Sequence, residues 1–388
     1  MNVVFLSPHF PTNFYNFACA LSRAGARVLG LADVPYDCLR PRLREALTEY
    51  YQVGNLEHYD EVMRACGYFI HHHGRLDRVE SHNEHWLGLE ARLREDFNIP
   101  GPRPADLEKI KRKSVMKDYF RRAGVPVAEG ALVRTEAEAW AFADKVGYPV
   151  FAKPDIGVGA ASTYKIENVR QMEEFLKTRP PVDYFLEEFV DGRLATFDGL
   201  CDGEGKVVYC VSHFSETGCY ELVAYDVDLS YYSLREMPPD LREAGTKVVE
   251  AFGIREKFFH LEFLRRRSDG ALRPLELNCR PPGGFTTDLM NFSSDIDVYQ
   301  MWADLVVHGR RPTGPIEMKY HAAHVARRRH KRYRLSHDEI LARFGHRIVM
   351  FEEIPSLLAG VMGDFSYIVR SPDLEEIKYL IREIQALA

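Results

Sequence analysis

The segment LRPLELNCRPPGG, residues 272–284, combines an alternating pattern of charges with an abrupt end. An acid, an amide and a cation stand at every second position, as Glu276, Asn278 and Arg280, before a Pro-Pro-Gly-Gly sequence. Because successive side chains of a β-strand point to opposite faces, these polar groups share one face and the apolar residues between them take the other. The segment therefore predicts a strand with one face on a hydrophobic core and one polar face.

A hairpin partner for this strand lies directly upstream, in FHLEFLRRR at residues 259–267. A three-residue Ser-Asp-Gly loop between the strands places Glu262 opposite Glu276, and two such carboxylates repel unless a cation lies between them. Hard oxygen ligands suit Mg²⁺, so the hairpin predicts a magnesium site of Glu262, Glu276 and Asn278. Arg280 is then a cation for a phosphate group. The alternative is that the two acids are solvated or paired with surface arginines.

Composition and length bound the class of protein. The chain has 388 residues, of which 46% are hydrophobic and 28% charged, and this predicts a globular protein of two or three domains. Its formal charge of −6 argues against a broad nucleic-acid-binding surface. The seven widely spaced cysteines, without a CxxC, indicate unpaired thiols in a reducing compartment. Finding neither a membrane-length apolar window nor a signal peptide, we expect a cytoplasmic protein that acts on small molecules, with neither nucleic acid nor membrane as partner and with a homodimer left open.

Short apolar runs alternate with amphipathic segments along the first hundred residues, which is typical of a parallel sheet with crossover helices. This predicts a doubly wound α/β domain that ends near the Pro/Gly cluster at residues 99–104. Its first turn, SPHFPTNF, is not the GxGxxG of dinucleotide-binding domains, which disfavours an NAD enzyme. Later segments mix hairpins with helices, and the predicted parts of the chain are residues 1–104, 105–190, 191–315 and 316–388.

Two lysines upstream of the hairpin are placed to bind a triphosphate. Lys113 lies in KRKSVMKDYF, within a helix predicted over residues 105–123. Lys153 ends an apolar strand in VFAKPD, where burying its stem without a partner anion would be costly. The loop IGVGAAST that follows suits a flap whose N–H groups close over phosphates, although taken alone it is typical of an ordinary turn. Its candidate contacts are Gly157, Gly159 and Ser162.

The segment LEEFVDG, residues 186–192, is an apolar strand that runs into two acids and ends at an Asp-Gly turn. Such a strand end presents backbone C=O and N–H groups that suit the edge of an adenine, with an acid available to a ribose. The candidate residues are Glu187, Glu188 and Val190. As a lone motif, the segment is equally typical of a plain strand end.

Together, and in this order, the motifs resemble the ATP-grasp superfamily of ligases, including the ATP-binding domain of the carbamoyl phosphate synthase large chain. KRKSVMKDYF is similar to the family's DK..M helix, with Arg112 in place of the usual acid, and VFAKPD with its loop resembles the KP…GxGS flap. LEEFVDG resembles the adenine hinge, and Glu262 followed by ELNCRPPGG resembles the paired metal acids and the E.N.R signature. The likeness extends from residue 104 into the 310s, and the preceding domain resembles a pre-ATP-grasp domain.

The resemblance implies a two-lobed ATP-grasp fold, with residues 105–190 as linker helix and small lobe, 191–315 as large lobe and 316–388 packed on the large lobe. It implies a catalytic Arg280, one or two Mg²⁺ ions with Mn²⁺ as an alternative, and ATP. The implied ATP contacts are Lys113, Lys153, Gly157, Gly159, Ser162, Glu187, Glu188 and Val190, and the implied metal ligands are Glu262, Glu276 and Asn278.

The implied activity is that of an ATP-dependent ligase, which phosphorylates a carboxylate to an acyl phosphate and joins it to an amine or another nucleophile. The alternatives are a bicarbonate-using carboxylase or carbamoyl phosphate synthase-like subunit, and a non-catalytic ATP-binding regulatory protein. One departure concerns the ribose, because Leu194 stands where the family often has an acid. Glu188 and Asp198 are the substitutes for it.

A histidine-rich stretch, FIHHHGRLDRVESHNEHW at residues 69–86, is predicted to be the end of a strand, YFIHHH, followed by a loop. Ligands of open α/β sheets bind beyond the carboxyl ends of strands, which favours a role in the acceptor substrate's pocket. A solvated loop is the alternative, and a transition-metal site is disfavoured because adjacent strand histidines face opposite sides. The candidate substrate contacts are His73, Arg75, Glu80 and Glu84, together with Gly283 and Gly284.

The densest basic run is HVARRRHKRYR, residues 324–334. We interpret it as a solvated face of a helix or strand, with an anionic substrate or a partner as the alternative. RNA binding is disfavoured because the run offers only Tyr333 as an aromatic platform for bases.

Overall fold

The structure is a computed structural model that describes residues 1–157, 162–215 and 226–388. Its strands, labelled β1–β17 in chain order over the described residues, are Asn2–Leu6, Arg27–Ala32, Glu49–Gln52, Arg78–Glu80, Gly130–Val133, Val150–Pro154, Tyr164–Ile166, Tyr184–Glu188, Gly192–Cys201, Val207–Val211, His213–Ser215, Ser230–Ser233, Phe258–Arg266, Leu272–Asn278, His321–Arg327, Ile348–Glu353 and Phe365–Ser371. Its helices, labelled α1–α14 over the same residues, are Tyr15–Arg23, Pro41–Ala46, Tyr59–His73, Leu87–Asp96, Glu108–Lys111, Lys113–Arg122, Glu136–Val146, Val169–Thr178, Pro239–Phe252, Thr286–Ser294, Val298–His308, His337–Phe344, Ser356–Met362 and Leu374–Gln385. None of these helices has both the length and the apolar character that crossing a bilayer requires.

The N-terminal sheet is parallel, in the order β3-β2-β1-β4, and helices cover both of its faces. On β1, Val3 and Phe5 pack with residues of α1, whereas Val4 and Leu6 pack with residues of α3 and α4. A strand that is buried on both sides needs apolar residues at every position, as β1 has. This arrangement confirms the predicted doubly wound α/β domain.

The histidine-rich stretch is helical, so the strand predicted for YFIHHH is wrong. Helix α3 continues to His73, and the strand that follows is the short β4, Arg78–Glu80. The buried residues of α3 recur every three or four positions from Val62 to Phe69, which is the spacing of a helix with one face on a core. The helical spacing of buried residues over all of α3 decides the conformation, although the aromatic and β-branched residues of YFIHHH favour a strand.

A second, antiparallel sheet has the order β5-β8-β6-β7. One face packs under α7 and α8 through a core that includes Phe142, Phe175 and Leu186. Because side chains alternate along β6 and β8, Lys153 and Glu187 lie on the opposite face, away from this core. The second sheet therefore directs two of the predicted site residues toward the rest of the chain.

The largest sheet is antiparallel and follows the order β14-β13-β9-β11-β12-β15-β17-β16 in the described part of the chain, with β10 paired to β9. β9 is bonded along its length to β13, so Glu262 lies inside the sheet and not at its edge. The strands of residues 316–388 extend this same sheet through the β12–β15 pair. Mixed α/β and antiparallel layers thus occur in one chain, as predicted.

The hairpin of β13 and β14 has the predicted partners but a different turn. Glu262 lies opposite Glu276. The turn is one residue longer than predicted, since the N–H of Arg266 donates to the C=O of Ala271 at 2.9 Å. A β-bulge next to the Glu262–Glu276 pair then shifts the register by one residue. The two offsets cancel, and for this reason the predicted pairing holds.

Aromatic packing and a buried ionic cluster join the N-terminal domain to the largest sheet. The ring of Phe17 on α1 lies 4.7 Å from that of Tyr299 and 5.5 Å from that of Trp302, both on α11. In the ionic cluster, Lys257 Nζ lies 2.5 Å from Oε2 of Glu80 and 3.1 Å from Oε2 of Glu90. Burial alone would raise the pKa of Glu80, but the nearby cations hold it well below its usual range. Without Lys257, the buried Glu80 and Glu90 would keep only Arg78 and Arg94 as cationic partners, and an incompletely compensated buried charge is costly.

The Lys257→Met variant should be strongly destabilised. It removes an ammonium that is 5% exposed and leaves Glu80 and Glu90 with less compensation, a loss of about 3–5 kcal/mol for a buried pair. Urea unfolding followed by circular dichroism would measure the change in midpoint. The matched control is Arg23→Ala, which breaks a half-exposed pair with Asp297 and should cost under about 1 kcal/mol. Equal midpoints for Lys257→Met and wild type would contradict the interpretation.

Candidate active site

The two predicted metal acids face each other at the centre of the site. Glu262 and Glu276 are cross-strand partners on one face of the hairpin. Burial, followed by the charge of Glu262, raises the pKa of Glu276, while Lys113, Lys153 and Arg280 act in the opposite direction. Burial also raises the pKa of Glu262, but His260 outweighs it and lowers the net value. The pair is therefore a concentration of negative charge in a partly dehydrated place.

Asn278 and Arg280 complete the polar face of β14, as the sequence predicts. Asn278 is buried, and its side chain forms no hydrogen bond to another described residue. The Arg280 guanidinium donates to the Pro281 C=O at 2.8 Å and lies 3.6 Å from Glu84, a residue of the N-terminal domain. Burial raises the pKa of Glu84, and Arg280 partly offsets this. Of the candidate substrate residues in the N-terminal domain, Glu84 thus reaches the site.

The helix predicted over residues 105–123 is broken at Arg112, and the break positions Lys113. Arg112 has an extended backbone, so α5 ends at Lys111 and α6 begins at Lys113. The N–H of Lys113 donates to the Asp155 C=O at 2.9 Å, and its Nζ donates to the Gly157 C=O at 3.0 Å. The start of α6 is thereby fixed to the residues that follow Lys153, and both predicted phosphate-binding lysines lie at one place.

Lys117 is a site residue that the sequence reasoning missed. It is 2% exposed, and its Nζ forms an ion pair with Glu187 of β8 and lies 3.5 Å from the Pro274 C=O of β14. Lys153 donates to the other Glu187 oxygen at 2.7 Å. The available signal was helical spacing, because Lys117 is four residues after Lys113 and therefore on the same helix face.

Glu187 is buried between these two lysines. Its burial would raise the pKa of the carboxyl group, but Lys117 and Lys153 lower it to about 2. The carboxylate is therefore an anchor for lysines, a role in addition to the backbone contact that was predicted. Val190, at the end of the same strand segment, is a buried residue, and its backbone N–H forms no hydrogen bond to another described residue. Glu188 is half-buried, and its N–H donates to the Glu129 C=O at 2.9 Å.

A buried chain of polar side chains lies beside the metal acids. His260 is within hydrogen-bond distance of Asp198 at 2.6 Å and lies 3.3 Å from Glu262. Asp198 also contacts His213 at 2.7 Å and accepts from Thr196. Burial works against it, yet the histidines hold the pKa of Asp198 well below its usual range. Asp198 is fully buried and bonded to these three partners, which disfavours it as the substitute for the ribose acid missing at Leu194.

Several other predicted residues lie elsewhere or serve the framework. His73 pairs with Glu49, and the C=O groups of His73 and Arg75 accept from the Asn2 side chain at the amino end of β1, across the sheet from the site. Glu80 belongs to the buried ionic cluster with Lys257. The structure does not bring these three to Glu276. Gly159 lies outside the described residues.

Two small residues of the predicted loops, Ser162 and Gly284, have left-handed backbone conformations. Ser162 has a positive φ of 55°, and its C=O accepts from Tyr184 at 3.4 Å. Gly283 faces open space, whereas Gly284 has a positive φ of 64° and its C=O accepts from Asn13 at 3.1 Å. Asn13 belongs to the first loop of the N-terminal domain, so the Pro-Pro-Gly-Gly turn is held from that domain.

The basic run at residues 324–334 is largely paired within the molecule. Arg328 is buried and lies 3.3 Å from Asp226, and Lys331 lies 3.0 Å from Asp228. Arg329 and Arg334 form ion pairs with Glu353 and Glu383. This favours a framework role over a free anion-binding surface.

The residues of the hairpin fit a hard divalent cation. Two opposed carboxylates and one amide oxygen, all close to cations that suit phosphate groups, are the ligand type that Mg²⁺ takes. No cluster of three or more histidines, cysteines and acids arranged for a metal occurs in residues 1–157, 162–215 or 226–388. The fit thus rests on Glu262, Glu276 and Asn278, with the remaining coordination positions open to water and phosphate oxygens.

Comparisons by sequence match part of the chain. Residues 112–190 match the family described as the carbamoyl-phosphate synthase L chain, ATP-binding domain. A stretch of 132 residues is 26% identical to the carbamoyl phosphate synthase large chain, C-terminal section, of Methanocaldococcus jannaschii, covering 32% of this chain and 21% of that one. Another of 122 residues is 28% identical to an uncharacterised protein of Sinorhizobium fredii, covering 29% of this chain and 26% of that one. The matches therefore span about a quarter of the relatives' length or less.

Solved structures match nearly the whole chain. An L-amino acid ligase from Bacillus licheniformis superposes with a TM-score of 0.77 at 17% identity, covering 99% of this chain and 96% of that one. N5-carboxyaminoimidazole ribonucleotide synthetase from Thermotoga maritima gives 0.71 at 17% identity, with 99% and 97% covered. The biotin carboxylase domain of Hydrogenobacter thermophilus 2-oxoglutarate carboxylase, a dimer solved with MgADP and bicarbonate, gives 0.69 at 18% identity, with 96% and 86% covered.

These similarities agree with the site's geometry. The sequence match begins at the helix break of Arg112 and ends at Val190, so it contains Lys113, Lys117, Lys153 and Glu187. The structural match covers nearly the whole chain, so it includes the β13–β14 hairpin and the doubly wound N-terminal domain. The chain has the ATP-grasp fold of these structures, and its residues 112–190 match the ATP-binding domain family of the carbamoyl-phosphate synthase L chain.

Proposed function

We propose that the protein is an ATP-dependent ligase that converts a carboxylate to an acyl phosphate and joins it to an amine, releasing ADP and phosphate. One observation carries the proposal. Lys113 and Lys153, from the segment before the largest sheet, lie close enough to Glu276 to act on its pKa, together with Arg280 from the other side. Cations from three segments of the chain thus act on one of the opposed carboxylates, and such cations suit a transferring phosphoryl group.

The nucleotide would lie between the second sheet and the hairpin, with residues 105–190 acting as the lid. Lys113 and Lys153 would bind its phosphates, and the unpaired amide of Val190 would meet the adenine edge. Lys117 and Glu187 hold Lys153 in place through a buried network of charges. Gly157 and Ser162 lie at the ends of the loop that would cover the phosphates, and Gly159 is assigned there on sequence alone.

Phosphoryl transfer would take place above the hairpin. Glu262, Glu276 and Asn278 would hold Mg²⁺, which when bound neutralises charge on the phosphates. Arg280 lies at the end of the same polar face, where it would orient the attacking carboxylate and offset the charge on the phosphoryl group. Glu84, paired with Arg280, would contact the substrate from the N-terminal domain. Closure over the acyl phosphate would keep water from hydrolysing it.

The acid remains to be identified, and the structural relatives suggest where to begin. The L-amino acid ligase, the N5-carboxyaminoimidazole ribonucleotide synthetase and the biotin carboxylase domain are named for different substrates, and the last was solved with bicarbonate. Their fold is shared, so it does not choose among them. ADP release measured over the twenty L-amino acids, other small carboxylic acids and bicarbonate would distinguish a carboxylate ligase from a bicarbonate-using enzyme.

The Glu276→Ala and Arg280→Ala variants should lose at least about a hundredfold in substrate-dependent ADP release, since each removes a charged group from the phosphoryl-transfer site. A coupled assay for ADP with the most active acid would measure this. Glu243→Ala is the matched control, because Glu243 forms an exposed pair with Lys247 on α9. Both site variants should keep the circular dichroism spectrum of the wild type. Wild-type ADP release in either one would refute the assignment of the site.

ATP with Mg²⁺ should stabilise the native protein against heat, by about 2.7 kcal/mol at a hundred times the dissociation constant. The Lys153→Met variant should show a much smaller nucleotide-induced shift in Tm, because it loses a phosphate-binding cation. Lys247→Met, an exposed change, is the control for the loss of a positive charge. If Lys153→Met is stabilised as much as the control, the nucleotide binds elsewhere. A shift in Tm without ADP release for any acid or bicarbonate would favour a regulatory ATP-binding protein.

A further inference from the structure

A histidine outside the predicted site lies on the same polar face as the metal acids. Across four neighbouring strands, Glu276 pairs with Glu262, and Glu262 pairs with Thr196. The register of β11 on β9 continues this row to His213, whose N–H donates to Thr196 Oγ1 at 3.2 Å. Directly opposed residues of antiparallel strands share a face, and strands lie about 4.8 Å apart, so His213 is about 10 Å from Glu262 along this row.

The imidazole of His213 is oriented by a carboxylate. Its Nδ1 lies 2.7 Å from Asp198 Oδ2, while the other Asp198 oxygen contacts His260. A carboxylate accepts at this position, so Nδ1 carries the proton and the lone pair of neutral His213 is on Nε2. This Asp–His arrangement is the one that prepares a histidine to take a proton at its far nitrogen.

That far nitrogen has no hydrogen-bond partner among the residues that the structure describes. His213 is 3% exposed, and its Nε2 is buried without a hydrogen bond within the part of the chain that the structure describes. Leaving a buried polar group unpaired costs about 1–3 kcal/mol, a cost that a ligand bonded to Nε2 would remove. His324 shows the same pattern, with Nδ1 bonded to Ser366 and Nε2 unpaired among the described residues. What distinguishes His213 is its place in one cross-strand row with Glu262 and Glu276.

The surroundings of His213 connect it to the Pro-Pro-Gly-Gly turn. The ring of Tyr231 lies 6.1 Å from that of His213 and nearly perpendicular to it. The Tyr231 hydroxyl is bonded to Thr286 Oγ1 at 2.8 Å, and Thr286 donates to the Gly283 C=O at 2.7 Å. His213 thus lies on the side of the metal acids that faces the turn after Arg280, where the second substrate would approach the activated carboxylate.

We propose that His213 is the base that accepts the proton of the incoming amine, an inference that rests on the proposed ligase function. The neutral amine nitrogen attacks the carbonyl carbon of the acyl phosphate and forms the C–N bond. The C–O bond to phosphate breaks, and its electron pair leaves with inorganic phosphate. The proton lost by nitrogen goes to Nε2 of His213 and then to solvent, while Asp198 stabilises the imidazolium through Nδ1.

The test separates the two half-reactions of a His213→Gln variant. Hydroxylamine is uncharged at neutral pH and traps an acyl phosphate as a hydroxamate without needing a base. The probes are ATP, Mg²⁺, the acid most active in ADP release and either hydroxylamine or an L-amino acid as nucleophile. We expect His213→Gln to form hydroxamate at the wild-type rate but to lose about a hundredfold or more in ligation to the amino acid. Retained hydroxamate formation also shows that the variant is folded.

The control is His321→Gln, a half-buried histidine on β15 of the same sheet that bonds to the Ser233 C=O at 3.1 Å, and it should retain both activities. Wild-type ligation by His213→Gln would overturn the inference and leave the ligase proposal standing. An equal loss of hydroxamate formation and ligation would also overturn it, since His213 would then act before the amine arrives. If the wild type forms no hydroxamate and releases no ADP with any acid, the ligase proposal itself fails.

Discussion

The opposed carboxylates of Glu262 and Glu276 place two like charges side by side, and the other charged groups of the site offset their repulsion. They are fixed as cross-strand partners inside a sheet, so neither can move away from the other. Positive groups therefore gather around them: Lys113 and Lys153 from one direction, and Arg280 from another. The neighbouring His260 is itself held between Glu262 and Asp198, and although burial opposes it, these acids raise the pKa of His260 to about 9. A divalent cation and a polyphosphate are the ligands that such an alternation of charges suits best.

The doubly wound domain contributes residues that contact the hairpin and the turn that follows it. It supplies Glu84 to Arg280, Asn13 to the turn at Gly284, and Glu80 to the ionic cluster of Lys257. These contacts fall at three points along the hairpin and the turn that follows it. The position of the hairpin's polar face is thus determined by burial and charge pairs at an interface, in addition to the hydrogen bonds of its own sheet.

Much of the site could be predicted because its pattern is short-range. The alternation of polar and apolar residues along residues 272–280 predicts the polar face directly. The pairing of Glu262 with Glu276 follows from an assumed turn length, and it is correct because the longer turn and the β-bulge shift the register in opposite directions. The helix break at Arg112 and the role of Lys117 could not be read in the same way, since they depend on contacts with Asp155, Glu187 and Pro274 far along the chain. The strand predicted for YFIHHH is wrong because these six residues are the end of a helix of fifteen residues, and the helical spacing of buried residues is clear only over the whole helix. His213 carried no signal of its own, because its importance depends on the register of β11 against β9.

The contacts of Lys117 join the second sheet to the largest sheet. A single ammonium, 3% exposed on its side chain, is tied to β8 of the second sheet and approaches β14 of the largest sheet. Separating the two sheets at this point would strand a buried cation and a buried anion, which is costly. This buried ion pair therefore couples the second sheet, through α6, to the hairpin of the largest sheet. Because Lys113 at the start of α6 also bonds to Asp155 and Gly157, the residues that follow β6 are held to the same helix that joins the two sheets.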